Sequence, residues 1–484
     1  MKLIAVFLLL AVCFAAADTD PGYEVTLTNN GLTCWINTMV APVLSQLQGL
    51  KVPDVTGTEK TIIGDINYQM SSITVQSLNV DKFIANVEAS KGYFLIVLEN
   101  ANADITLDWS YQQQRFPHAH DAGTADAQLK KMVIELHATM VRTDDDRPQI
   151  KLSDIVVNIG DLDLTLHGGA SWLYDVFISI FKSSVVRALN DEFAKALPPA
   201  VQSTINQRLE KWPRYSPMDD FASFDQRLTW DSAVKFTKSS LTFGIDGQVV
   251  DVDSHAALPQ FTPATDMPLI HNGQDLQLFF SNEVWASDFF THFNGGVFNT
   301  TLVKDDAPSQ MQSWFNTKMW ASRIPGLATA HPNSDMTFKV IATEAPTSKI
   351  FPAAVYVEYD VDFLFMVDGV ADPVVVLNFR IGTAATPYLQ TDRSRVALEH
   401  KPYNQTISVV SSSVGTVSVT PITPLAKLFI EKSIVPFFNK MQDSGNAHQM
   451  GIFLPLLVDI DFSDAQVYYA SDYVVLTMDM KVKA

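Results

Sequence analysis

His118-Ala119-His120-Asp121 and Asp144-Asp145-Asp146 bring potential metal ligands together in this 484-residue chain. A coordination site needs three or four donors converging from fixed elements. Histidines two apart in a polar stretch are read instead as a solvated hairpin tip. The aspartate run lacks the glycine and distal glutamate of a calcium loop, so it too is read as a solvated turn. Gly169-Ala170-Ser171-Trp172-Leu173 is one glycine short of a nucleophile elbow, and Ser171 is expected to open a helix. No H-E-x-x-H helix, phosphate loop or cysteine-zinc pattern occurs. We therefore expect no enzyme, no metal site and no cofactor. What the chain has in quantity is apolar: 47% hydrophobic residues, including 30 phenylalanines. That is enough for a large core, or for a cavity whose walls are also apolar.

The elements that arrange those residues show where the spacing changes. Ile155, Val157 and Ile159, then Leu162, Leu164 and Leu166, alternate with mostly polar neighbours, the period of a sheet with one buried face. After Gly168-Gly169 the period becomes helical. Trp172, Val176, Ile180, Val186 and Phe193 share a broad stripe with Leu173, Phe177, Phe181 and Leu189, suited to roofing a sheet. The same order returns near the C-terminus. Ile407 to Val419 reads as alternating strands, and Leu425, Leu428, Phe429, Ile434, Phe437 and Phe438 supply a second apolar helix. The fold class is α+β, and a long strand covered twice by an apolar helix predicts two pockets of one kind.

Earlier, Asn30-Gly31 starts a helix whose face is Leu32, Trp35, Ile36, Met39, Val40, Val43, Leu44 and Leu47, with Pro42 expected to kink it. Strands are predicted at Ile62 to Ile66, Ile73 to Val80, Phe83 to Val87, Tyr93 to Leu98, Ile105 to Trp109 and Met132 to Met140. Gln112 to Gln128 reads as an exposed hairpin tip. Trp212-Pro213-Arg214-Tyr215-Ser216-Pro217 is the best boundary, because prolines so close together break any element. The second half adds an apolar helix at Val284 to Phe293, strands from Phe338 onward, and closing strands in which Val474, Leu476, Met478, Met480 and Val482 alternate. The first pocket is expected to be lined by Trp35, Met39, Val43, Leu47, Trp172, Val176, Phe177 and Ile180. Trp285, Phe289, Leu425 and Phe429 are expected around the second.

Lys2, the apolar run Leu3 to Phe14 and Ala15-Ala16-Ala17 form a secretory signal peptide, with cleavage before Asp18. The mature protein is expected outside the cytosol. Cys13 leaves with that leader, so Cys34 is the sole remaining cysteine and no intrachain disulfide is possible. Asn299-Thr300-Thr301 and Asn404-Gln405-Thr406 are glycosylation sequons. With 34 basic against 53 acidic residues, nucleic acid and anionic membranes are poor partners. Nothing in the sequence sets an oligomeric state.

Gly31-Leu32 with its helix, Leu50-Lys51-Val52-Pro53-Asp54, Ser171-Trp172-Leu173 and Arg187-Ala188-Leu189-Asn190 resemble the first barrel of the bactericidal permeability-increasing, lipopolysaccharide-binding and plasma lipid-transfer family. Ser281 to Phe290 resembles the first helix of that family's second barrel, and Leu454-Pro455-Leu456-Leu457 its C-terminus. The resemblance covers almost the whole mature chain. It implies a boomerang-shaped α+β molecule of two barrel-like domains, each of twisted antiparallel sheet plus two helices, joined by a central sheet. Each barrel would hold a phospholipid's acyl chains. On this reading residues 1–17 are the signal peptide, 18–215 the N-terminal lipid-binding barrel, 216–260 a linker with central-sheet strands, and 261–484 the C-terminal barrel.

The chain departs from the family twice. The family's usual disulfide would join the strand near Ile155 to the helix near Pro198, and neither position is cysteine. The lipopolysaccharide-binding members carry basic residues at the first barrel's tip; here Lys60 and Arg115 are diluted by Glu59, Asp65, Asp108, Asp121 and Asp126. The expected function is a secreted carrier of phospholipid or a similar two-chain lipid, meeting lipid particles or membranes transiently through exposed Trp109, Tyr111 and Phe116. The alternatives are an innate-defence protein binding lipopolysaccharide or another microbial envelope lipid, and a structural glycoprotein whose apolar helices are only core.

Overall fold

The computed structural model describes residues 20–61, 64–168, 174–230, 234–256, 258–259, 261–263, 273–390, 395–442, 451–453, 460–470 and 472–482. Strand β1 (Tyr23–Thr28) leads into α1 (Asn29–Ser45), which runs through Pro42. The Gly31 N–H donates to the Thr28 hydroxyl at 3.4 Å, capping the helix. Only glycine fits at position 31, because a Cβ there would lie 2.1 Å from the Asp275 carbonyl oxygen. The face from Leu32 to Leu44 is buried at the spacing that predicts it.

The first module is an antiparallel sheet in the order β2 (Val55–Thr61), β3 (Gly64–Glu88), β4 (Tyr93–Gln113), β5 (His120–Arg142), β6 (Pro148–Asn158). Strand β7 (Asp161–His167) takes the stretch of β5 that β6 leaves open. These strands are longer than the sequence pattern suggests: Tyr93 to Leu98 and Ile105 to Trp109 belong to one strand of 21 residues. Burial runs Phe94, Ile96, Leu98 and then Ala101, Ala103, Ile105. The alternation changes phase across Asn100, which has a left-handed φ of 53° and sits at a register shift. Ser72 in β3 and Lys131 in β5 do the same, with φ of 54° and 53°. Each is a bulge that inserts a residue without ending the strand. The expected long tip between Gln112 and Gln128 shrinks accordingly, since β4 reaches Gln113 and β5 starts at His120.

Helix α2 (Tyr174–Val201) contains Pro198 and Pro199, passes into a π-helical turn at Gln202–Asn206 and ends with Gln207–Leu209. Two missing N–H donors upstream disturb the regular ladder, a setting in which wider turns form. The buried Asn206 amide then grips β6: its Oδ1 accepts from the Ile150 N–H and its Nδ2 donates to the Ile150 carbonyl, both at 2.9 Å.

The proline-rich segment that follows forms the short strand β8 (Tyr215–Pro217), beside β9 (Ala222–Asp225). Next come β10 (Val234–Phe236), β11 (Ser240–Ile245), β12 (Val249–Asp251), which pairs with β9, and β13 (Leu276–Ser281). Helix α3 (Asn282–Asn294) opens the second module. Its sheet contains β14 (Thr300–Leu302), β15 (Met336–Ala342), β16 (Thr347–Phe351), β17 (Ala354–Val367), β18 (Val375–Gln390), β19 (Arg395–Ser412) and β20 (Ile452–Phe453), in the order β14-β15-β17-β18-β19-β20 with β16 on β17. The alternation at Ile407 to Val419 overstates the strand, which ends at Ser412 with Val409 and Val410 exposed. The covering helix is α4 (Thr423–Phe429), a π-helical turn at Ile430–Ile434, and α5 (Val435–Gln442).

The last strands, β21 (Ile460–Ala470) and β22 (Tyr473–Val482), return to a third sheet of order β10-β11-β1-β13-β22-β21. The first and last described strands, β1 and β22, therefore lie in the same sheet. In the closing strand Val474, Leu476 and Met478 are buried as expected, but so are Val475 and Thr477, so this stretch of β22 is covered on both faces rather than one. Among the described residues each sheet is open and none closes into a barrel.

Candidate functional site

Helix α1 and the end of α2 lie over the first sheet and enclose a small cavity with aliphatic walls. Val40, Val43 and Leu44 come from α1, Ile96 and Leu136 from the sheet, and Leu197, Val201 and Ile205 from α2 and its π turn. Its volume is about 20 Å³, close to the least that holds one water. With no polar wall it is dry.

The expected lining residues are placed unevenly. Val43 borders this cavity, and Met39 and Leu47 are buried nearby along the chain. Trp35 packs edge-on against Phe243 of β11 at 5.9 Å, toward the third sheet. Trp172 lies outside the described residues. Val176, Phe177 and Ile180 lie on the backbone of α2, with side chains outside the described set. In the second module Trp285 packs by Phe280 and Phe289 lies edge-on to Tyr359, both in the core. Leu425 is half-buried.

Phe429 instead borders a separate chamber of about 290 Å³ to which α3 contributes nothing. Its deep walls are Met311, Trp314 and Phe315 of a 3-10 segment, with Phe338 of β15. Ile434 and Phe437 face them from the helix. Sequence reasoning missed this segment. Met311, Trp314 and Phe315 share one apolar face, but the 3-10 piece is seven residues long and has too few turns for a period to show in sequence.

The tip corrects a further expectation. Phe116 is 89% exposed, but Trp109 and Tyr111 are buried and stacked, with the Trp109 indole N–H donating to the Thr124 carbonyl at 3.0 Å. A polar hollow of about 1060 Å³ beside them is lined largely by hydroxyls and amides such as Thr58, Gln69 and Ser110, and no lysine or arginine borders it. His118 and His120 are exposed. Among the described residues no three metal-ligating side chains converge. The aspartate run is a docked turn in which the Asp146 carbonyl accepts from the Leu228 N–H. Asn299 and Asn404 are exposed, and the Asn299 side-chain carbonyl accepts from the Ala342 N–H.

Two buried histidines stand apart from the cavities. His292 of α3 has Nε2 3.0 Å from Asp219 Oδ2 and Nδ1 3.0 Å from Asp288 Oδ1. Burial opposes its charge, yet the Asp288 charge and the Asp219 hydrogen bond outweigh burial and carry its pKa up to about 10. Burial likewise opposes ionisation of Asp219, but the hydrogen bond and charge of His292, joined by the Phe221 and Ala222 N–H groups, hold it below the usual carboxylate range. This ion pair ties the β8–β9 connection to the second module. His400, buried in β19, is pushed by burial down to about 4 and is neutral. Its Nδ1 lies 3.0 Å from the buried Thr383 hydroxyl.

Two antiparallel modules sharing a sheet, each roofed by a long helix with a π turn at its cavity, define the architectural class. The chain belongs to the LBP / BPI / CETP family: the model of the family's N-terminal domain matches residues 31–208 and that of its C-terminal domain residues 216–482. A putative BPI/LBP family protein of Arabidopsis thaliana is 24% identical over 96% of this chain and 93% of its own length. The bactericidal permeability-increasing protein of Sebastes schlegelii is 21% identical over 98% of both chains. The human lipopolysaccharide-binding protein is 21% identical over 98% of this chain and 96% of its own. A crystal structure of lipopolysaccharide binding protein shares the fold, with a TM-score of 0.63 at 18% identity over 96% of this chain and all of that one. Among the described residues no helix is long and apolar enough to cross a membrane.

Proposed function

We propose that this protein is a secreted lipid carrier that holds the acyl chains of a phospholipid or similar two-chain lipid beneath its long helices, and performs no catalysis. The observation that carries the reading is the first module's cavity, whose walls are aliphatic and whose roof is α1 and the end of α2. Family membership and the leader-like N-terminus support it. An apolar space of this kind rewards chain insertion by about 0.8 kcal/mol per buried methylene. Extraction of the purified protein with organic solvent, followed by mass spectrometry, tests it. A two-chain lipid at near one equivalent in the wild type, lost in Val43→Asp, is expected. A protein that carries no lipid and takes none from vesicles would leave only the structural-glycoprotein reading.

The second reading is recognition of lipopolysaccharide, favoured by the names of several relatives. The tip opposes it, since a polyanionic glycolipid is drawn by a cationic field and no cation borders the hollow there. Lipopolysaccharide binding that is tight at low salt and weakens steeply toward physiological salt would restore that reading.

A further inference from the structure

Away from both cavities, the outer face of the second module's sheet carries a row of three rings. Phe351 and Tyr403, 42% and 66% exposed, stand on either side of Tyr356, with ring centroids 5.3 and 4.9 Å from it. Asn404, the acceptor of a glycosylation sequon, is the residue next to Tyr403. We propose that this row is the docking surface for the chain's own N-linked glycan at Asn404, whose N-acetylglucosamine core folds back across the sheet onto Tyr403 and Tyr356. The proposal rests on the secreted reading, which gives the chain access to glycosylation, and not on lipid carriage.

The register of the sheet brings the parts together. Asn404 pairs with Gly382, whereas Pro402 pairs with Thr383, so Tyr403 is the extra residue of a bulge in β19. That bulge leaves Tyr403 and Asn404 both exposed, although neighbours in a regular strand take opposite faces. Gly382 in turn pairs with Glu358, and Ala384 with Tyr356. Between Asn404 and Tyr356 the face is therefore floored by a glycine and an alanine, which leave room above the backbone. Asn404 and Tyr356 stand two strands apart and two residues along, about 12 Å between backbones, a span that two linked sugars cover. The Asn404 Oδ1 accepts from the Gln405 N–H at 2.8 Å, which engages the side chain through its oxygen and not through Nδ2, the atom that carries the sugar. Attachment transfers the anomeric carbon from a polyprenyl-diphosphate donor to Nδ2: the C–O bond to the diphosphate breaks, the C–N bond forms, and Nδ2 gives up a proton. The charges beside the rings are already matched. Lys401 pairs with Glu399 at 3.8 Å and Arg380 with Glu358 at 3.4 Å, while Lys349 Nζ lies 5.5 Å from the centre of the Phe351 ring. An uncharged partner suits such a surface, and a pyranose offers it a flat face of C–H bonds for the negative faces of the rings. Exposed apolar clusters on a sheet imply a cover, and the sequon places one within reach.

The test uses the full-length protein expressed in a eukaryotic secretory host, with its glycans labelled in carbon-13. Peptide mapping should find Asn404 occupied. The core N-acetylglucosamine protons at that site should be shifted upfield by ring currents, a shift that Tyr403→Ser removes and Tyr403→Phe keeps. Under native conditions peptide N-glycosidase should release the Asn404 glycan about fivefold more slowly from the wild type than from Tyr403→Ser, the factor one aromatic contact supplies. Release at Asn299, beside β14, should be the same in both. A bare Asn404 in protein recovered from the medium would overturn the proposal and leave the secreted reading standing; protein retained in the cell with both sequons bare would overturn both. An occupied Asn404 whose proton shifts and release rate ignore Tyr403→Ser would show the glycan in solvent and overturn the docking. Self-association or phosphatidylcholine-vesicle binding by the glycosylated protein that Tyr403→Ser abolishes would assign the row to a second copy or a membrane instead.

Discussion

Replacing His292 with Gln removes the cation that faces Asp219 across the boundary between modules and Asp288 one turn back on its own helix. Both carboxylates stay buried, with Asp219 0% and Asp288 3% exposed at the side chain, so the loss at neutral pH is expected to be about 3–5 kcal/mol, as for other buried pairs stripped of one partner. The pH dependence is the sharper part. The folded pKa of His292 lies at about 10 against 6.5 for an ordinary histidine. A group raised on folding contributes its full stability below its unfolded value and loses it as pH climbs through the folded one. Between pH 7.5 and 9.5 the wild type should therefore lose about 2–3 kcal/mol. Glu24 and Asp246 also have raised values, about 7 for Glu24 and about 6 for Asp246, each set first by burial. Their contributions fall away below that window, as the pH passes from the ordinary carboxylate range to those values. Urea denaturation followed by circular dichroism at several pH values measures the slope, and subtracting the His292→Gln slope removes the contribution of other groups. If the two proteins show the same slope, the ring is neutral in the folded chain and the charge assignment is wrong.

Asn206→Ala removes both hydrogen bonds to Ile150 and leaves that backbone buried without partners, which should cost about 1–3 kcal/mol in urea denaturation. Gly31→Ala places a methyl on the Asp275 carbonyl and should destabilise by more than the helix gains from alanine, about 1 kcal/mol; a more stable variant in thermal melts would show that the contact yields. Phe116→Ser should weaken binding to phosphatidylcholine vesicles without changing the melting temperature, and wild-type binding should vary little with salt because the exposed group is apolar; a steep salt dependence would point to a cationic contact instead.

The fold was legible where one period held for a whole element, and misread where a single residue shifted it. The face of α1 follows its period and is buried as read, whereas β22 has its apolar positions buried together with the intervening Val475 and Thr477, because both of its faces are covered. Strands β3, β4 and β5 were cut into pieces because Ser72, Asn100 and Lys131 each insert one residue, which moves every later side chain to the opposite parity. A polar residue between two apolar runs looks the same in sequence whether it ends a strand or bulges within it. The tip aromatics failed for another reason: Trp109 and Tyr111 share a parity with Ile105 and Leu107, so continuing β4 by four residues carries them inward. Only Phe116, in the turn itself, stays out. The second chamber was half visible through Phe429. Its other wall is a 3-10 segment, and a piece that short carries too few turns for its period to stand out.

The missing disulfide also has a physical counterpart that no cysteine count could reveal. A bridge from the strand near Ile155 to the helix near Pro198 would pin α2 to the sheet's edge. Strand β6 ends the sheet's order, and the Ile150 N–H and carbonyl point outward, away from β5. The Asn206 amide satisfies both, so one side chain closes a sheet edge and docks a helix. The second module repeats the device with different residues. There the His400 N–H donates to Asn439 Oδ1 at 2.7 Å, and Asn439 Nδ2 donates to the His400 carbonyl at 3.0 Å, tying α5 to β19. Asn206 is the last residue of its π turn, whereas Asn439 lies in the regular helix that follows the other one. A disulfide acts largely by restricting the unfolded chain, whereas these clamps exist only in the folded state. They therefore leave the chain's stability independent of redox conditions, and the correspondence between modules is one of mechanical role rather than of aligned residues.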